Sequence, residues 1–92
     1  MEFGIRIKHF YQWYRLWVVR TDADHNYEWF KIIAKNKTLV MSCNRPALRR
    51  HGLKHRKPTW HLEEGKVDSS SGLESIAAAI LAHLEPPKKP GE

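Results

Sequence analysis

The chain has 92 residues, 41% hydrophobic and 28% charged, a balance that folds as one small globular domain and excludes a disordered polyelectrolyte. One cysteine excludes an internal disulfide, and no apolar run approaches the ~18–20 residues of a membrane-spanning helix. Sixteen Lys and Arg against ten Asp and Glu leave a net charge of +6, which favours anionic partners.

Residues 1–9 carry Phe3, Ile5 and Ile7 at alternate positions, the period of a short strand or extended arm. Charged and bulky aromatic side chains interrupt the apolar stretch that a secretory leader would need, so a cytoplasmic protein is expected. Residues 10–21 fit either period. Their aromatic and β-branched content, and the turn-forming Asp22 to Asn26 that follow, favour a strand. Residues 27–34 predict a second strand centred on Trp29 to Ile33. A tight Lys35-Asn36-Lys37 turn, in which Asn36 tolerates positive φ, leads to a third strand over residues 38–42.

The hairpin Phe30-Lys31-Ile32-Ile33-Ala34-Lys35-Asn36-Lys37-Thr38-Leu39-Val40-Met41-Ser42 resembles that of the YegP-like small domains of unknown function. It follows their aromatic-basic-apolar-x-Ala-x-Asn order and their apolar-apolar-x-Ser ending, and departs at Lys37, where they have Gly. The resemblance implies a strand meander with a helix packed on it. It implies no activity.

Past Cys43 the composition changes. Residues 44–61 read NRPALRRHGLKHRKPTWH, with Arg45, Arg49, Arg50, Lys54, Arg56 and Lys57 and no acid. The other ten Lys and Arg are matched by ten Asp and Glu, so the excess charge belongs to this run. Asn44 is placed to cap a short helix over residues 45–51, with Pro46 in its first turn and Gly52 ending it. Pro58 then breaks the run, and residues 59–62 suit a short edge strand. Further on, Ser71 and Glu74 have the spacing of a capping box. Leu73, Ile76, Ala77, Ile80, Leu81 and Leu84 form one apolar stripe, predicting a helix over residues 72–84. Pro86-Pro87 stops it, and residues 86–92 are expected to be a disordered Pro/Lys tail.

These elements make one α+β domain over residues 1–85: an antiparallel sheet of three to four strands with the C-terminal helix on one face. The basic run carries the functional expectation. Arg45, Arg49, Arg50, Lys54, Arg56 and Lys57 would neutralise phosphates of DNA or RNA, with Trp60 as a stacking platform for a base. The alternative is an adaptor or inhibitor, of the compact kind found in phage or mobile elements, docking an acidic protein surface. Alternation divides the aromatic group Phe10, Tyr11, Trp13, Tyr14 and Trp17 between core and surface, and the hot spot would be an outward patch of Tyr11, Trp13 and Trp17, which also offers a homodimer contact.

Catalytic and metal readings have less behind them. Cys43, His51, His55 and His61 are four potential zinc ligands, with His51 and His55 one helical turn apart, but Gly52 ends the helix between those two, Cys43 has no close partner thiol, and six cations nearby oppose a dication. Asp22, Asp24 and Glu28, like Glu63, Glu64 and Asp68, sit where turns need acids. No nucleophile with an oriented base is legible, so neither an enzyme nor a cofactor is expected.

Overall fold

A computed structural model of the chain describes residues 1–9, 11–53, 55–67 and 70–85. In chain order the elements are strands β1 (Glu2–His9), β2 (Gln12–Ala23), β3 (Glu28–Ile33) and β4 (Thr38–Cys43), helix α1 (Arg45–Arg50), strand β5 (Trp60–Glu64) and helix α2 (Ser70–Leu84). The strands form one antiparallel sheet in the order β1-β2-β3-β4-β5. This is the expected α+β class with five strands instead of three or four. The N-terminal segment is a full strand, paired with β2 from Glu2↔Val19 to His9↔Gln12, and β5 adds to the far edge of β4. Residues 86–92, with the tail expected there, lie outside the described residues.

Alternation decides which face each side chain takes. Phe3, Ile5 and Ile7 of β1 share the inner face with Leu16 and Val18 of β2, Phe30 and Ile32 of β3, and Leu39 and Met41 of β4. The α2 residues Ile76, Ala77 and Ile80 cover that face, mainly over β1, and His83 stacks on Phe3 with ring centroids 3.9 Å apart. Val18, Phe30 and Ile80 are fully buried. Truncating a side chain so placed to Ala typically costs about 2–5 kcal/mol. The helix begins at Ser70, so Ser71 lies inside its first turn and not ahead of it, and the Ser71 carbonyl accepts the Ser75 hydroxyl at 2.9 Å. Among the described residues, no helix is long and apolar enough to cross a membrane.

The connections use side-chain bonds at some turns and positive backbone φ at others. Asp24 Oδ1 accepts the amides of Asn26 and Tyr27 at 2.8 and 2.7 Å, closing the β2–β3 turn. Those two amides hold the Asp24 carboxyl below its ordinary pKa. The β3–β4 turn closes through the Ala34 amide on the Lys37 carbonyl, and Asn36 does not adopt the expected positive φ. The turn closes with negative φ at both Lys35 and Asn36. At the end of β5, Gly65 has φ +92°, and a Cβ there would meet Leu39 Cδ2 at 2.6 Å.

One buried ion pair ties the sheet to both helices. Glu28 is in phase with Phe30 and Ile32, so its carboxylate points inward and is 1% exposed. Arg45, the first residue of α1, meets it with two prongs: Nε to Oε2 at 2.6 Å and Nη2 to Oε1 at 2.9 Å. The third guanidinium nitrogen reaches Glu85, beyond the end of α2, at 3.3 Å. The contact with Glu28 raises the Arg45 pKa above its ordinary value. Cys43 packs beside them, its Sγ 3.6 Å from Glu28 Oε2. Burial pushes its thiol up to about 12, and the adjacent Glu28 carboxylate adds to the rise while Arg45 opposes it.

Glu28→Ala should lose about 3–5 kcal/mol in urea unfolding, because it strands a buried guanidinium. The double variant Glu28→Leu/Arg45→Met should lose less than either single truncation; a larger loss would show the pair to be net stabilising. For Cys43, an unfolded thiol titrates near 9 and the folded one near 12. Between those values the unfolded state has released a proton that the folded state keeps. This contribution is complete below pH 9 and falls as pH rises, by about 1.4 kcal/mol per pH unit. Cys43→Ala should flatten that alkaline slope in unfolding curves measured from pH 8 upward.

Candidate nucleic-acid interface

Folding divides the basic run. Arg45 does not reach the surface. An inward carboxylate needs a partner, and Glu28 takes it. Trp60 is likewise not a free platform: it is in phase with Leu62 on the inner side of β5 and tilts against Phe30, ring centroids 5.8 Å apart. Lys54 lies outside the described residues. Arg49, Arg50, Arg56 and Lys57 are exposed.

Short bonds hold α1 in place. The Asn26 carbonyl accepts the Ala47 amide at 3.2 Å, and Asn26 Oδ1 accepts Arg50 Nη2 at 2.6 Å. Asn44 does not cap the helix with its side chain. Its Oδ1 accepts the Thr59 amide at 2.7 Å, stapling the helix start to the entry of β5. The other end closes as a Schellman motif, with Gly52 at φ +72°, its amide on the Arg49 carbonyl and the Leu53 amide on the Leu48 carbonyl.

Beside α1 lies an open depression of about 380 Å³. Arg49 and Arg50 of α1, Arg20 of β2, Asp24, His25 and the Glu28–Arg45 pair line it. Arg20 comes within 4.0 Å of Glu28, and Arg49 Nε within 3.8 Å of Glu85 Oε1. The Arg49–Glu85 pair is solvent-exposed and weak, and Arg20 only approaches a Glu28 carboxylate already bonded to Arg45, so both guanidinium groups keep donors for another anion. Arg20 is a candidate the sequence reading missed. Only the β2 register brings it to α1.

The opposite face of the sheet was also missed as a unit. No described helix covers it. Trp13, Arg15 and Trp17 project from β2 on this side; Lys8, Arg6 and Gly4 of β1 stand opposite them in register. Beyond Trp17 and Val19 come Ile33 and Lys31 of β3. Trp13 is 61% exposed and Trp17 44%. The Arg6 guanidinium lies 5.1 Å from the Trp13 ring centroid, and the Trp17 ring approaches the Gly4 position, where a Cβ would touch it at 3.6 Å. Tyr11, grouped with these tryptophans by sequence, sits at the β1–β2 turn with φ +65°, 95% exposed.

The remaining constellations separate. Cys43 is buried while His51, His55 and His61 are exposed. Among the described residues, no three His, Cys, Asp or Glu side chains gather as metal ligands would. A cavity of about 440 Å³ opens between the sheet and the start of α2. It is lined by Ile7, Leu16, Ile32, Leu39 and Ile76, with His9, Tyr14, Lys35 and Lys37 also on its wall, and among the described residues no carboxylate lines it. No family model matches the chain, and no curated protein or solved structure matches it either.

Proposed function

We propose that the protein binds nucleic acid, seating phosphates on the guanidinium groups around α1, and that its role is binding without catalysis. The supporting observation is the convergence of Arg49 and Arg50 with Arg20 around an open depression. The Arg45 charge there is already taken by Glu28, so no bare buried cation competes for the ligand. Guanidinium forks match phosphate oxygens in pairs, and clustered forks follow a backbone better than scattered ammonium groups. Arg56 and Lys57, exposed on the loop that leads to β5, supply two further cations for the same ligand. A reducing, cytoplasmic setting goes with this reading, since the single thiol, Cys43, is buried and has no second cysteine to pair with.

Five such contacts would give a log–log salt slope of roughly −3 to −5, depending on whether the ligand is single-stranded or duplex. Fluorescence anisotropy with DNA and RNA at low and physiological salt should show that slope. Arg49→Glu/Arg50→Glu should weaken binding at least ~10-fold, as expected for removing two contacts and adding two repulsions. Absence of binding at low salt, or indifference to the double reversal, overturns the reading. So does recovery from cells of one nuclease-resistant protein partner and no nucleic acid.

A further inference from the structure

We propose that the open sheet face is a stacking surface for single-stranded nucleic acid, with Trp13 and Trp17 receiving bases and Arg6, Arg15, Lys8 and Lys31 contacting the backbone. This rests on the nucleic-acid reading above and makes the ligand class more specific.

Three observations carry it. First, the two indoles stand on one face of one strand, four residues and so about 13 Å apart, with Arg15 midway between them. Aromatic and cation therefore alternate along a line, as a strand of bases and phosphates requires. Second, each ring is placed by β1: Arg6 lies over Trp13, and Trp17 rests against Gly4, where no side chain lifts it off the sheet. Both rings remain 44% or more exposed, so a planar ligand meets surfaces that are already ordered.

Third, Arg6 and Arg15 stand directly opposite each other across the β1–β2 pair. Like charges in that position destabilise a sheet. Among the described residues, neither makes an ion pair with a carboxylate, and nor does Lys8 or Lys31. The acids on this face stand off the Trp13–Trp17 line: Glu2 and Asp22 lie in the rows beyond Trp17, Glu64 of β5 lies opposite Val40 in the row of Glu2 and Lys31, and Glu63, also on β5, accepts the Ser42 hydroxyl. A polyanion laid along Trp13–Arg15–Trp17 supplies the missing countercharge. A second copy of this chain would instead oppose its own cations to these.

The test uses the full chain with a thymidine oligomer of about twelve nucleotides, an abasic oligomer of equal length and a duplex. The wild type should bind the thymidine oligomer more tightly than the abasic one, with tryptophan fluorescence quenched. Trp13→Ala/Trp17→Ala should weaken oligomer binding ~10- to 100-fold and leave the abasic oligomer and duplex nearly unchanged. Trp13→Phe/Trp17→Phe should recover most of the loss. Both indoles are exposed, so circular dichroism should show the variants folded. If the Ala variant binds the oligomer as the wild type does while Arg49→Glu/Arg50→Glu abolishes binding, the stacking surface is wrong and the phosphate reading stands. If the wild type binds no nucleic acid, both are wrong. If the Ala variant turns a dimer into a monomer in sedimentation without weakening the oligomer, the face joins two copies and the proposal falls.

Discussion

A carboxylate on the inner face of a small sheet must find a cation, and from that constraint most of the architecture beyond the strands follows. Glu28 alternates with Phe30 and Ile32 and cannot turn outward without taking the rest of β3 with it. Arg45 answers it with a planar two-pronged contact and passes its remaining nitrogen to Glu85. A well-packed apolar pair would stabilise the site at least as well. What the ion pair adds is direction, because a guanidinium fork meets a carboxylate in one plane. That plane sets the start of α1 against β3 and draws the end of α2 to the same point. Arg49 and Arg50 then project from a helix whose orientation is fixed by a bond at its first residue.

The same pair redistributes the charge. Along the sequence, the cations outside residues 44–61 are balanced by acids and the run holds the whole excess. In space, two of those balancing acids belong to the run: Glu28 is committed to Arg45, and Glu85 lies between Arg45 and Arg49. The charge they would have cancelled is left on the sheet, where Arg6, Lys8, Arg15 and Lys31 have no described carboxylate against them. A tally along the chain locates excess charge in sequence. Only the fold says where it is felt.

Strand identity was legible wherever alternation was clean, as in Phe3-Ile5-Ile7 and Phe30-Ile32, and α2 was legible from its stripe. The signals for the corrected residues were present as well. Glu28 is in phase with two core side chains, and Trp60 is in phase with Leu62; each phase relation marks an inward position. Reading Arg45 and Trp60 as site residues gave composition precedence over phase. What local pattern does not contain is which strand lies beside which. The Arg6–Arg15 opposition and the meeting of Arg20 with α1 both depend on register between segments distant in sequence. Asn44 shows a related limit, because a side chain suited to capping its own helix found a stronger use 15 residues away.

The meander also bears on how the chain assembles. Every strand pairs with its neighbour in sequence; the first three ladders close short loops at small entropic cost, the fourth closes the longer segment that carries α1, and such topologies fold comparatively fast. Helix α2 is the exception. It crosses back to β1, where His83 stacks on Phe3, and its last contacts run through Glu85 to Arg45. Until that docking is complete the apolar face of the sheet is open to water and to other chains. The helix that gives the domain its core thus also sets the interval during which the nascent protein is most prone to aggregate.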